Sequence, residues 1–289
     1  MDRVAIGAAG VRAEVAAAGA ELVSLRDGAG RELLWQAGPA WPRHAPVLFP
    51  IVGQLAGNRY RLGGREFTLP RHGFARDQVF TCLSAGPGEC LFRLTETPAT
   101  LAAYPFPFRL DIAFAARNNT LTTTCTVTNT GAGVLPFSLG LHPAFRWPLA
   151  KGVAKEAHVL TFTADEPDPI HRAPTGLLSA GVEDSPVRDR CLPLSPRLFD
   201  RDALVFTTLR SRGVTLAVPD RADLPRLTLA WDGFPHLGLW SNGGDFLCIE
   251  PWHGHADPEG FASDFREKPG LIHLPPGDSR VFSLAITVE

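Results

Sequence analysis

The chain has 289 residues, 45% of them hydrophobic, enough to fill a large interior in a single β architecture. Its formal charge of −2 gives no reason to expect nucleic acid or an anionic membrane as partner. The five cysteines (Cys82, Cys90, Cys125, Cys191 and Cys248) are dispersed and form no Cys-x-x-Cys pair, which argues against a disulfide framework or a zinc site.

The opening "MDRVAIGAAGVRAEVAAAGAEL" is Ala-rich but broken by Asp2, Arg3, Arg12 and Glu14, so it lacks the basic start and unbroken apolar core of a signal peptide. Nowhere do about 18 apolar residues run together, so no transmembrane helix is expected and the expected location is the cytoplasm. "NRYRLGGREFTL" reads as a hairpin turning at Gly63-Gly64. "LPRHGFARD" follows, with His72-Gly73 in a turn after Pro70 and Arg71 and Arg76 on either side. Such a turn can present an imidazole and a guanidinium fork to ligand oxygens, though a loop histidine in a basic surface patch reads the same way.

"ECLFRLTET" alternates. In "RLDIAFAARNNTLTTTCTVTN", Leu110, Ile112 and Phe114 alternate with polar or small residues, and Asn118-Asn119 marks a tight turn. "PFSLGLHPAFRWP" ends a strand at His142, because Pro143 biases the residue before it toward extended geometry; Phe145 and Trp147 wall the neighbourhood. Residues 164–197 are Pro-rich and read as a long surface excursion. "FDRDAL" (199–204) and "PEGFASDF" (258–265) are the candidates for a turn or two of helix. "GVTLAV", "RLTLAW" and "RVFSLAITVE" add further alternating runs.

"HLGLWSNGGDFLCIE" is a hairpin around Asn242-Gly243-Gly244, with Glu250 at the far end of its second strand. Period-two counting puts Glu250 on the face of Phe246 and Cys248, where a carboxylate is costly unless something compensates it. Pro251 cannot donate to the ladder, and Trp252 offers a flat apolar wall. A carboxylate beside an indole suits a sugar, which takes hydrogen bonds through its hydroxyls and stacks its C–H face; a structural Glu–Arg pair is the bland alternative. The chain therefore reads as an all-β, single-domain protein over residues 1–289, a large antiparallel sandwich with few short helices. His72, His142 and Glu250 sit at strand ends beside Pro, Gly and aromatics. An imidazolium and a carboxylate on either side of one ligand form a general acid–base pair.

"LFPIVGQLAGNRYRLGGREFTLPRHGFARD", "SLGLHPAF" and "CIEPWHG", in this order, resemble the aldose 1-epimerase (galactose mutarotase) superfamily, and within it the branch of LacX-like proteins and glucose-6-phosphate 1-epimerases. The resemblance runs from about residue 20 to the C-terminus. It implies a galactose-mutarotase-like β-supersandwich, a sugar site on the concave face of the large sheet, and interconversion of α- and β-anomers without metal, nucleotide or other cofactor. By motif match Glu250 is the base on the anomeric hydroxyl, His142 the acid on the ring oxygen, and His72 a second histidine polarising that side. Arg59 matches a hydroxyl-binding arginine, Arg76 a ligand-binding arginine of the hexose-phosphate branch, and Asp202 a hydroxyl-accepting aspartate. Where that branch carries Gln before the His, this chain has Arg71, and Arg43 is offset by one residue from an expected arginine; with Arg76 and Arg146 they are the candidates for a phosphate rim. Opposite charge is expected to keep His142 protonated and Glu250 ionised.

The expected partner is a small sugar or sugar phosphate, and the chain a monomer or homodimer. Three alternatives remain. A non-catalytic sugar-binding protein would keep Trp252 and the arginines. A glycosidase would need a second carboxylate from Asp202, Asp245 or Asp257. His253, His255 and Asp257 could gather a cation, at a spacing that matches no standard zinc pattern.

Overall fold

The computed structural model describes residues 2–289. Among these, two large antiparallel sheets carry most of the chain, of nine and eight strands. The nine-stranded sheet is centred on Ser279–Val288, Thr120–Asn129 and Phe108–Arg117. The expected hairpin lies here: Arg117 pairs Thr120, and Asn118 takes the positive φ of 53° that the tight turn requires. The alternating residues Leu110, Ile112 and Phe114, with Leu121 and Cys125 on the next strand, are all buried. They meet Leu237, Leu239, Leu247 and Ile249 of the eight-stranded sheet in one continuous core. Each such side chain contributes on the order of 1.5–3 kcal/mol.

The eight-stranded sheet positions the site. Its central strands are Leu204–Phe206, His236–Trp240, Phe246–His253 and Leu139–Leu141, and Ala144–Arg146 also pairs with Phe246–His253. Leu247 and Ile249 face the inter-sheet core, while Phe246, Cys248, Glu250 and Trp252 take the opposite face. That face is also covered, so every residue from Phe246 to Trp252 is buried.

Three local readings change. The 164–197 excursion supplies edge strands to both sheets, Ile170–His171 and Val182–Glu183 on one and Cys191–Pro193 on the other. Residues 258–264 form no helix, and only Phe265 at the end of that stretch enters one. Short 3-10 turns lie instead at Pro196–Phe199 and Phe265–Glu267, and an α-helix at Pro98–Ala103. That helix starts where Thr97 and Thr100 cap each other reciprocally with Pro98 at the first position, a legible start signal in six residues too short to show periodicity. No described helix is long and apolar enough to cross a membrane.

Candidate active site

Two prolines, one following each member of a facing pair, build the centre of the site. The strand partners run Gly140 opposite Trp252 and Ala144 opposite Cys248, which sets His142 directly across from Glu250. Pro143 and Pro251 each lack an N–H, so the ladder opens between these two paired stretches. Ile249 N–H donates to the Pro143 carbonyl at 3.2 Å and bridges the gap. The two side chains project to the same side, and His142 Nε2 lies 3.1 Å from Glu250 Oε2, without hydrogen-bond alignment. They stand side by side in one cavity of about 160 Å³, not on opposite flanks of it as expected.

Two glycines shape the wall beside Glu250. Trp252 lies across the sheet, and a Cβ on Gly238 would sit 2.4 Å from its ring, one on Gly140 2.6 Å. Only glycine on both flanking strands lets the indole lie there. Trp41, from the loop before the Val47–Leu48 strand, stacks on His142 with ring centres 4.9 Å apart and 22° between planes. Trp240 approaches the same imidazole edge-on at 6.1 Å.

His72 enters from its turn with a φ of 67°. Gly53 holds it twice: His72 N–H donates to the Gly53 carbonyl at 2.8 Å, and Gly53 N–H donates to His72 Nδ1 at 3.1 Å. An Nδ1 that accepts places the ring proton on Nε2. The His72 and His142 rings meet edge-to-face at 5.6 Å. Gly53 approaches Ala256 so closely that a Cβ would meet it at 2.6 Å, so the turn cannot accept another residue there.

Burial dominates the electrostatics. Glu250 is 1% exposed, and desolvation followed by the nearby Asp202 pushes its carboxyl well above the usual range; Trp252 counters this weakly, with no aligned hydrogen bond. His142 is pulled down to about 3, by desolvation first and then by Arg76 and Arg43. The expected ion pair is therefore corrected: the two groups share one proton, and burial favours the neutral arrangement, carboxylic acid beside imidazole. His72 is likewise held neutral, by desolvation and then by His142 and the arginines.

The arginines divide. Arg71 and Arg76 line the cavity. Arg71 donates through Nε and Nη2 to Gln54 Oε1 at 3.1 and 2.7 Å. Arg76 Nη2 donates to the Arg71 carbonyl, its Nε makes no hydrogen bond but lies 3.9 Å from Asp77 Oδ2, and burial lowers its pKa to about 10. Arg43 stands behind them, paired with Asp77 at 2.7 Å, and does not line the cavity. Arg59 is a clear correction: it is largely exposed, pairs with Glu66 at 3.2 Å and borders a different surface groove. Arg146 is exposed and leans on the Leu34 carbonyl.

Of the three candidate second carboxylates, Asp202 alone lines the cavity, at a φ of 70°. Asp245 pairs with Lys155 at the surface, and Asp257 with the buried Lys268 at 3.2 Å. The proposed cation set does not converge either. His253 bonds the Gly233 carbonyl, His255 bonds the Ala256 carbonyl and borders the cavity, and Asp257 caps Ala56 N–H. Sequence reasoning missed Trp41 and Trp240, as well as Ala173, Gly176 and Leu178, with which the excursion closes one side. Trp240 was legible, since it pairs with Cys248 across the hairpin and so shares the face of Glu250; the others sit in loops with no period to read.

Similarity to known proteins agrees with this architecture. A family model described as aldose 1-epimerase matches residues 2–261. The chain is 33% identical to the chromosomal protein LacX of Lactococcus lactis subsp. lactis over 283 residues, covering 93% of this chain and 94% of that one. A galactose mutarotase related enzyme from Lactobacillus acidophilus superposes with a TM-score of 0.94 at 29% identity, covering 99% of this chain and 97% of that one. A galactose mutarotase-like protein from Lactobacillus casei superposes with a TM-score of 0.92 at 30% identity, covering 99% and 100%. With its galactose-mutarotase-like sandwich and a histidine–glutamate pair at the centre of its large cavity-bearing sheet, this chain belongs to the aldose 1-epimerase family.

Proposed function

We propose that the protein is a mutarotase that interconverts the α- and β-anomers of a hexose or hexose phosphate by opening and closing the ring. His142 and Glu250 exchange protons with the two oxygens on C1. The observation that carries this reading is the 3.1 Å approach of His142 Nε2 and Glu250 Oε2 inside a cavity walled by indoles. The ring oxygen and the anomeric hydroxyl of a hemiacetal are bonded to the same carbon, so the groups serving them must stand side by side. A pair flanking the sugar from opposite sides would fit that demand less well.

Ring opening removes the proton from O1 and delivers one to the ring oxygen; the C1–O5 bond breaks and an aldehyde forms. Rotation about C1–C2 turns the other carbonyl face inward, and the reversed transfers close the ring. The family resemblance gives Glu250 the base role and His142 the acid role. That sense requires the shared proton on His142 once the sugar is bound. Sugar hydroxyls donating to Glu250 supply the hydrogen bonds that no protein group offers its Oε2, and they favour the carboxylate. His72, with its proton on Nε2, polarises the ring-oxygen side, while Asp202 and Arg76 take hydroxyls farther out. Positioned proton transfer is worth roughly 10²–10⁴-fold.

Polarimetry on freshly dissolved α-anomers of glucose, galactose and glucose 6-phosphate tests the proposal and ranks the substrates. Faster decay of optical rotation with at least one of them supports it. Calorimetric binding of a sugar with no acceleration would assign the chain to non-catalytic sugar binding instead.

A further inference from the structure

Cys248 has no part in this proton chemistry, yet it lies beneath the groups that carry it. It occupies the cavity-side face of the Phe246–His253 strand, two residues before Glu250, and is fully buried. Its Sγ, a ring nitrogen of His142 and a carboxylate oxygen of Glu250 all lie within 4.8 Å of one another. Among the described residues no other three His, Cys, Asp or Glu side chains converge in this way. Glu250 Oε2, on a side chain 2% exposed, has no hydrogen-bond donor and faces His142 Nε2.

We infer that Cys248, His142 and Glu250 form a binding site for a borderline-soft divalent cation such as zinc, whose binding reversibly blocks the catalytic pair. One sulfur, one imidazole nitrogen and one carboxylate oxygen make a mixed donor set that zinc accepts, and a buried three-ligand site leaves its fourth position toward the cavity. Zinc bond lengths would draw the donors to on the order of 3.3–3.6 Å of one another. The His142–Glu250 edge is already 3.1 Å. The thiol has to close by at most about 1.5 Å, within reach of a side-chain rotation. On binding, the thiol proton and the proton shared by the pair leave to solvent, and the cation takes the place of the proton that the reaction moves. The blocking effect rests on the proposed function; the site itself does not.

The test is a titration of the purified protein with Zn²⁺ and, separately, Co²⁺. Zn²⁺ should abolish acceleration of mutarotation, and chelation with EDTA should restore it. Cys248→Ala should keep the basal rate and need at least about ten-fold more Zn²⁺ for the same inhibition. Co²⁺ should give a thiolate-to-metal charge-transfer band in the near ultraviolet, absent from Cys248→Ala; Cys248→Ser serves as the second variant if alanine impairs folding. Equal zinc sensitivity of wild type and variants, or no thiolate band at saturating Co²⁺, overturns the inference. The Co²⁺ band needs no activity, so an inactive protein that shows it would overturn the function and leave the site standing.

Discussion

Replacing Glu250 by Gln separates chemistry from folding at the one position where the two pull against each other. Burial favours the neutral form of the Glu250 carboxyl, its pKa raised first by desolvation and then by Asp202. Gln matches the neutral acid in shape and removes no charge that the folded state depends on. A volume-conserving swap of this kind changes stability by less than about 1.5 kcal/mol. For a chain of this length that keeps Tm within about 6 °C of wild type. The amide can neither accept the O1 proton nor hold the shared proton, so the whole contribution of positioned transfer is lost. That contribution is roughly 10²–10⁴-fold, or about 2.7–5.4 kcal/mol of barrier.

The assay is the first-order decay of optical rotation on the best substrate, with exchange NMR between anomers as an independent readout and a thermal melt run alongside. A variant that melts like wild type and has lost at least about a hundred-fold in rate bears out the role. A Glu250→Gln protein that folds and keeps full rate refutes it, and with it the assignment of His142 as the partner group.

His142→Asn should lose a similar factor, and the double variant with Glu250→Gln should be no slower than the slower single variant, because two groups sharing one proton act as a unit; additive losses in the same polarimetric assay would contradict this. Gly238→Ala drives a Cβ to 2.4 Å from the Trp252 ring, so it should cost about 1–3 kcal/mol in denaturant unfolding and raise KM, whereas an unchanged KM would show that the indole does not bear on the sugar. His255 and His236 are each held to about 4 by desolvation first, against 6.5 in the unfolded chain. The unfolded state therefore takes up protons first: the stability they contribute is complete above about pH 6.5 and is lost as pH falls from there toward 4, by roughly 3 kcal/mol for buried His255 and less for partly exposed His236. Urea melts across this window should show the loss, reduced in His255→Gln. Lys268→Met strands Asp257 without its buried partner and should cost about 3–5 kcal/mol in the same unfolding assay, much of it recovered in Lys268→Met/Asp257→Leu.

What could be read from the chain alone depended on whether a side chain's direction follows from its neighbours. Along Phe246–His253 it does: alternation put Glu250 on the face opposite Ile249, and the prolines at 143 and 251 were visible, so both members of the pair were found. Their mutual placement followed from register, which no single strand encodes, and register set them adjacent instead of opposed. Arg59 failed for the complementary reason. A motif match carries a position, but the Arg59–Leu62 strand forms a small hairpin with Arg65–Thr68, and that hairpin points the guanidinium at Glu66 and away from the cavity. Trp41 and the 173–178 segment lie where the chain has no period at all, and only long-range packing brings them over the site.

The proton on the pair is the sharpest case, because the sequence shows which charges are near but not how deep they lie. Attraction between an imidazolium and a carboxylate at 3.1 Å favours the ion pair, and that was the expectation. Desolvation of both groups works against it, and with Glu250 1% and His142 7% exposed it wins in the free protein. In the proposed reaction the hydroxyls of the bound sugar donate to Glu250 and oppose that desolvation, which moves the proton toward His142. A pair poised in this way can give and take a proton in both directions, as a reaction near equilibrium between two anomers demands.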